Sequence, residues 1–499
     1  MASEKIFLAV DMGASSGRVV AGRLNNGKLT LEDVHRFENG PVHVGGSMHW
    51  DLLRQWTDIQ DGLRAAHDKY GADITSLGVD TWGVDFGLLD RNDQILGNPY
   101  HYRDARLNGV VETVFDTVSR DEIFAETGLQ FMQINTLYQL ITLQRVNAPQ
   151  LEMADTFFMV PDMFHWLLTG EKANEMTDAT TTQFLNPRTR QWSTSLLDKF
   201  QISTDMLQTI IEPGTVLGKL RPEVIRDVGL SDVNVVVPGT HDTASAVMSV
   251  PTAEPPSDQP NWCYISSGTW SLMGVEVPNP VINDRCLELN FTNEGGVGGT
   301  IRVLKNICGL WLVQECRRIW NLAGKSYDWA QLVSMAESES PLRCHITPDD
   351  VRFNAPENMP QAIASFCSET NQPAPETEGQ IIRCALESLA LRYRQCLGYL
   401  EQLTEGRIET IHVVGGGTQN KLLCQMTADA CNRPVIAGPV EATAIGNVMM
   451  QAVAAGEVAS IAEARQMIRS SFIVEQYEPQ RRDDWDAAFQ RFEALPCNA

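Results

Sequence analysis

Basic residues are scarce in this chain: 39 Lys and Arg stand against 63 Asp and Glu, a formal net charge of −24 over 499 residues. With no basic surplus to neutralise phosphates, nucleic acid and anionic membrane surfaces are excluded as expected partners. Long apolar runs are also missing. Residues 6–10 are apolar, but Asp11 ends the run, which is too short for an export signal. Residues 442–456 are interrupted by Thr443, Asn447 and Gln451 and are too short to span a bilayer. Cysteine is absent before Cys263. The eleven from there on are odd in number and form no CxxC, and the nine histidines form no HExxH. Free thiols in a reducing compartment, hence a cytoplasmic protein, are the expectation, and no metal-binding framework is read from these spacings. A P-loop is missing too: Ala323, Gly324, Lys325 and Ser326 end like one, but Ile319 holds the place of the required glycine.

What is present is an ordinary globular composition, 43% hydrophobic and 20% charged, on a chain long enough for two large domains. Residues 251–260 carry four prolines and read as a linker, so the domains are expected at 1–250 and 261–499. Each opens on the same pattern. Strand 5–10, the small polar stretch from Asp11 to Arg18 and strand 19–24 are followed by an Asn25-Asn26-Gly27 turn and a third strand, 29–37. After the linker, residues 262–277 repeat strand, small turn (266–269) and strand. Small residues let backbone N–H groups approach a phosphate, although an ordinary glycine-rich hairpin reads equally well. Asp11 suits a water-mediated magnesium contact.

Four further stretches hold candidate site residues. Residues 73–89 read as one apolar strand with Asp80, Trp82, Gly83 and Asp85 near its end. Trp82 beside Gly83 suits a sugar edge, and a core tryptophan beside a turn is the plainer alternative. Residues 233–237 form a buried strand, with a turn at Pro238-Gly239 and a helix from near Thr243. Asp242, between His241 and Thr243, is there either a helix cap or a base facing a cleft. Residues 292–299 read as a loop, and 302–320 as one amphipathic helix with Asn306 near its start and Gln314 about two turns on. Strand 411–414 runs into Gly415, Gly416 and Gly417 and then a helix, an arrangement that suits a phosphate or adenosine but lacks GxGxxG spacing. Residues 438–456 read as a small-faced helix suited to packing between domains.

Taken together, residues 9–18, 80–86, 241–247, 266–274, 303–312 and 413–420 resemble the FGGY carbohydrate kinases of the actin and sugar-kinase ATPase superfamily. The set spans nearly the whole chain in the family's order. One position departs from the general pattern: Ala14 stands where the family usually has threonine, a form shared by its L-rhamnulose-specific members. The resemblance implies two RNase H-like α/β domains flanking a cleft, working on ATP, Mg²⁺ and a small sugar, and nothing in the sequence demands more than a monomer. It implies Asp242 as general base, with His241, Asp242, Thr243 and Gly83 holding the sugar. Ala14, Ser15, Ser16, Gly17 and Arg18 would cradle the ATP phosphates, with Thr269, Asn306, Gln314 and Gly416 bordering the nucleotide and Asp11 placing the metal. The implied reaction is phosphorylation of L-rhamnulose at O1, in L-rhamnose catabolism. Fuculose or xylulose is the alternative acceptor, and a non-catalytic nucleotide-binding scaffold is the reading outside the enzymes. Because rhamnulose is a 6-deoxy sugar, Trp82 is the expected face for its methyl group.

Overall fold

The computed structural model describes residues 4–497. The chain forms two compact units, each built from separated segments. The first contains Met1–Ser257, Glu276–Val303 and Ala442–Phe472; the second contains Asp258–Val275, Leu304–Glu441 and Ile473–Ala499.

The first unit is organised on a six-stranded sheet. Its strands are β1 (Lys5–Met12), β2 (Ser16–Asn25), β3 (Lys28–Glu38), β4 (Ile74–Thr81), β5 (Val216–Lys219) and β6 (Asn234–Val236), in the order β5-β6-β4-β1-β2-β3. β1 runs antiparallel to β2 and parallel to β4, and β4 runs parallel to β6. The continuous apolar run of β1 follows from its central place, because alternate side chains enter different layers. Ile6, Leu8 and Val10 pack with Ile59 and Leu63 of the helix Leu52–Tyr70. Phe7 and Ala9 pack on the other face with Ile445, Val448 and Met449. Each such fully buried side chain is worth roughly 1.5–3 kcal/mol over exposure. The turn after β2 is as expected: Asn26 and Gly27 take φ of 49° and 73°, which a two-residue hairpin requires.

The helix Ala442–Ala454 belongs to this unit rather than packing between domains. Its small faces are used within the unit: a Cβ on Gly446 would overlap the Ser245 carbonyl, and one on Gly22 would overlap Val448. Gln451 donates to the Leu8 carbonyl (2.9 Å) and accepts from Ser76 Oγ (2.7 Å), satisfying buried polar groups of the sheet.

The second unit repeats the plan. β7 (Trp262–Ser267), β8 (Trp270–Val277), β9 (Ile301–Cys308), β10 (Thr410–Val414), β11 (Val435–Ala437) and β12 (Glu475–Tyr477) lie in the order β9-β8-β7-β10-β11-β12, with the strand Thr292–Gly295 as a seventh beside β9; the end of β8 and the first three residues of β9, Arg302 among them, are counted with the first unit. β7 runs antiparallel to β8 and parallel to β10, as β1 does to β2 and β4.

Three local expectations are corrected. Residues 302–308 form β9, and the helix starts only at Trp311 (Trp311–Leu322). The break comes at Gly309, where a Cβ would meet Trp270 and Ser271 at 2.6 Å, so the chain crosses β8 too closely for a helix. Asn306 is therefore a strand residue, not a cap. The glycine-rich 292–295 segment is a buried strand (Thr292–Gly295), because Gly295 packs directly on the backbone of Met176 and Thr177. Residues 73–89 split into β4 and a separate strand, Phe86–Leu89, which pairs with Thr156–Met159.

Candidate active site

Three carboxylates meet at the carboxyl ends of the first unit's strands. Asp11 and Asp80 are register neighbours on parallel β1 and β4, and Asp11 faces Arg18 across the β1–β2 ladder. Arg18 donates to Asp11 Oδ2 from Nε (3.0 Å) and Nη2 (2.7 Å). Asp80 is fully buried. Asn447 donates to its Oδ2 (2.6 Å), while Oδ1 has no hydrogen-bond partner among the described residues. Burial, then the charges of Asp11 and Asp242, push the Asp80 carboxyl well above the usual carboxylate range.

Asp242 is the open member, its side chain retaining 32% exposure against 12% for Asp11. It is the first residue of the helix Asp242–Met248, with His241 at the cap position, so the helix starts one residue earlier than expected and Asp242 does not cap it. Thr243 Oγ1 donates to Asp242 Oδ1 (3.0 Å), and His241 Nε2 lies 3.6 Å from the same oxygen. The surrounding protein mass still raises the Asp242 pKa against His241 and Thr243, and Asp11 adds to the rise. Desolvation and a neighbouring carboxylate thus outweigh the charge of His241 and the hydrogen bonds of Thr243.

His241 is held from behind. Arg302, wholly buried on β9, places Nη2 3.2 Å from His241 Nδ1 and 3.2 Å from Glu294 Oε2, and donates from Nε to the Gly295 carbonyl (2.8 Å). Burial works to raise Glu294, but the hydrogen bond with His241 and the charge of Arg302 win, and its pKa is lowered. On the other side, Glu175 accepts from Thr177 and Thr240 through both backbone N–H and hydroxyl groups, and Thr177 Oγ1 accepts from His241 N–H (3.2 Å). The threonine run 180–182 is a buried 3₁₀ turn following the helix Met176–Ala179.

The Gly83 turn lies against that segment. A Cβ on Gly83 would stand 2.9 Å from Thr181 Cγ2 and 3.1 Å from Asp178 Oδ1. Val84 takes φ of 69°, a rare strain for a β-branched residue, and is held by Thr181 Oγ1 on its N–H (2.9 Å) and Thr136 Oγ1 on its carbonyl (2.6 Å). Trp82 does not offer a sugar-facing edge. It is 5% exposed, tilts against Trp50 with centroids 3.9 Å apart, and donates from Nε1 to Asp85 (3.0 Å). The core alternative for Trp82 holds, because its indole N–H serves a buried carboxylate.

The residues expected to cradle the phosphates divide between strand and turn. Ser16, Gly17 and Arg18 belong to β2, and Gly17 is small because a Cβ there would overlap the Phe37 ring. Ala14 and Ser15 remain at the turn, closed by Gly13 N–H to the Ser16 carbonyl (2.9 Å).

In the second unit, Thr269 sits half-buried at the β7–β8 turn, its carbonyl accepting from Trp311 N–H (3.0 Å), which ties the turn to the start of the helix bearing Gln314. The glycine triplet after β10 serves three needs. Gly415 takes φ of 86°, a Cβ on Gly417 would overlap Ser267, and exposed Gly416 meets nothing within 4 Å.

Sequence reading missed Asp80 as a site carboxylate, together with Glu175, Asp178, Glu294 and Arg302. Asp80 stood in a quoted motif. Glu294 carried a weaker signal, a carboxylate before two glycines, and Arg302 carried none.

Known proteins match the chain over nearly its whole length. Residues 6–249 match the FGGY family of carbohydrate kinases, N-terminal domain, and residues 263–455 match its C-terminal domain. A rhamnulokinase from Bacteroides thetaiotaomicron is 46% identical over 97% of this chain and 98% of its own length. One from Oceanobacillus iheyensis is 45% identical over 93% and 96%. Among solved structures, a ligand-bound xylulose kinase from Lactobacillus acidophilus superposes with a TM-score of 0.81 at 16% identity, covering 98% of this chain and 97% of that one. A Plasmodium falciparum glycerol kinase with ADP gives 0.76 at 15%, covering 98% of each. The fold is therefore the two-domain sugar-kinase fold, and the chain belongs to the FGGY family of carbohydrate kinases.

Proposed function

We propose that this chain transfers the γ-phosphoryl group of ATP to O1 of L-rhamnulose, giving ADP and L-rhamnulose 1-phosphate, with Asp242 as general base. The acceptor rests on relatives named rhamnulokinase at 40–46% identity over at least 93% of the chain. The base assignment rests on one observation: of three carboxylates gathered at the strand ends, Asp242 alone keeps an open side chain beside a histidine and a threonine.

Asp242 takes the O1 proton as the O1–phosphorus bond forms and the bond to the ADP oxygen breaks. Because little charge develops on the attacking oxygen, a carboxylate of modestly raised pKa is a competent acceptor. His241 and Thr243 flank the hydroxyl, and Glu175 and Arg302 fix His241 from opposite sides. Gly83 leaves room at the Thr181 edge. Ala14, Ser15, Ser16, Gly17 and Arg18 and, in the second unit, Thr269, Asn306, Gln314 and Gly416 are the proposed nucleotide-binding set. The unpartnered Asp80 oxygen beside Asp11 fits a divalent cation, since burial and the Asp11 and Asp242 charges work against its ionised form without one. Magnesium, when bound with ATP, would be held through Asp11 and Asp80 and would supply phosphate charge neutralisation.

Initial rates of ADP release with L-rhamnulose, L-fuculose and D-xylulose test the reading. The expected order places L-rhamnulose first by at least tenfold in kcat/KM. A preference for either other ketose overturns the acceptor, and no sugar-dependent ADP release with any ketose favours a non-catalytic scaffold.

A further inference from the structure

One short turn of the first unit holds three of the segments that surround Asp242. Thr177, Thr180 and Thr181 are spaced as i, i+3 and i+4 over the helix Met176–Ala179 and the 3₁₀ turn after it, and all three are buried. Each hydroxyl accepts one backbone N–H from a segment distant in sequence: Thr177 from His241 (3.2 Å), Thr180 from Gly295 (2.8 Å) and Thr181 from Val84 (2.9 Å). Each spends its own proton locally, Thr177 on Glu175 Oε2 (2.5 Å), Thr180 on the Thr177 carbonyl (2.9 Å) and Thr181 on the Asp178 carbonyl (2.8 Å). A hydroxyl has one proton and two lone pairs, so fixing the proton also fixes the direction in which it accepts.

Thr181 acts on an unusual piece of backbone. Asp85 N–H donates to the Gly83 carbonyl (2.9 Å) across Val84, whose φ is 69°. That is a γ-turn of the strained hand, and a β-branched residue at its centre persists only where its surroundings hold it. The Val84 carbonyl accepts from Thr136 Oγ1 (2.6 Å) and Gln139 Nε2 (3.2 Å), while Thr181 holds the N–H. Gly83 itself is buried, its carbonyl is used by the turn, and its N–H has no hydrogen-bond partner among the described residues. Buried backbone donors without a partner are rare in native structures, and one beside a site marks where a ligand oxygen fits.

We infer that Thr177, Thr180 and Thr181 are positioning residues for the sugar, and that Thr181, by closing the turn at Val84, presents the Gly83 N–H to a sugar oxygen other than the one phosphorylated. The inference rests on the sugar-kinase reading, in which Gly83 and His241 hold the acceptor. Because Thr177 and Thr181 lie on one turn, that turn sets the distance between the Gly83 N–H and the His241–Asp242 segment. Thr180 adds Gly295, whose carbonyl accepts from Nε of Arg302 (2.8 Å), the arginine behind His241. A contact to a non-reacting oxygen binds substrate and transition state alike, so its loss shows in KM and spares kcat. Valine has the shape of threonine without the acceptor, so Thr181→Val leaves the Val84 N–H unpaired in a strained turn.

Steady-state ADP release on the preferred ketose tests this with three substitutions in the full chain. Thr181→Val is expected to raise KM for the ketose at least about fivefold, with kcat and KM for ATP within about threefold of the parent. Thr181→Ser, which keeps the oxygen, is expected to bring the ketose KM back to within about twofold. Thr182→Val removes a buried hydroxyl that bonds the Ala179 carbonyl and the Phe184 N–H of its own turn, and is expected to lower the melting temperature without moving KM. If Thr181→Val does not fold, amide hydrogen exchange of the parent decides: the peptide containing Gly83 is expected to exchange more slowly when the ketose is saturating and ATP is absent. A smaller KM rise in folded Thr181→Val, an equal rise in Thr181→Ser or Thr182→Val, or exchange unmoved by the ketose overturns the inference. ADP release that responds to no ketose overturns the sugar-kinase reading, and this inference with it, whereas ketose-dependent release with an unmoved KM leaves that reading standing.

Discussion

The Arg302 guanidinium bridges His241 and Glu294, 3.2 Å from Nδ1 of one and 3.2 Å from Oε2 of the other, with none of the arginine exposed. A buried ion pair is unforgiving of the loss of one partner, because the remaining charge is stranded. Arg302→Met should therefore lower unfolding free energy by about 3–5 kcal/mol. Adding Glu294→Gln should return more than half of that loss in urea titrations. Once folded, the double variant should still show a raised KM for the sugar, since His241 has lost its anchor. An unchanged KM would show that His241 is held by Thr177 and Glu175 alone.

Asp242→Asn keeps the shape of the site and removes the proton acceptor. Sugar-dependent ADP release should fall by at least about 10²–10⁴-fold, with ATP binding and melting temperature nearly unchanged. As the proposed base, Asp242 accepts the proton only when ionised, and its folded pKa is raised. Activity should therefore fail on the acid side at a higher pH than an ordinary aspartate of about 3.9 would set. The acid limb of kcat/KM against pH measures this directly, and a limb at or below 4 contradicts the assignment.

Asp85 gives a separate pH signature, in stability rather than rate. It is fully buried and accepts from Trp50 Nε1 (2.5 Å), Trp82 Nε1 (3.0 Å) and Gln139 Nε2 (2.8 Å), yet burial still raises its pKa to about 6. A raised folded pKa means that the native state holds the proton more tightly than the unfolded chain. That contribution is complete below the unfolded value near 3.9 and is lost as pH rises through 6. Compared with Asp85→Asn, the parent should lose about 2 kcal/mol between pH 4 and pH 7 in denaturant titrations. A pH-independent difference would place the Asp85 pKa at its ordinary value.

The glycine triplet separates packing from nucleotide contact. Gly417→Ala should cost about 1–3 kcal/mol of stability, because its Cβ overlaps Ser267. Gly416→Ala has open space around it and no positive φ, so stability should hold. If Gly416 borders ATP, KM for ATP should rise severalfold in that variant alone, and an unchanged KM removes it from the nucleotide set.

Much of the plan was legible from sequence because it rests on local physics. The run of β1 is apolar at successive positions since both faces are buried, the Asn25-Asn26-Gly27 turn needs positive φ, and the hairpin of β1 and β2 recurs in β7 and β8. Where reading failed, a neighbour distant in sequence decided. Residues 302–308 have a helix-like pattern, but the sheet claims them as β9. Residues 292–295 look like a loop by composition, but Gly295 is a glycine because it touches the backbone of Met176 and Thr177.

By itself, the sequence determined the doubled α/β plan and the family, because motifs with local geometry survive without their surroundings. Tertiary structure alone decided what surrounds Asp242. Asp80, Glu175, Glu294 and Arg302 come from four separate segments, and only folding removes them from water and sets their charges against one another. It also returned Trp82 to the core and set three threonines of one turn against three distant segments, since burial and cross-chain distance are properties of packing and leave no period in the chain.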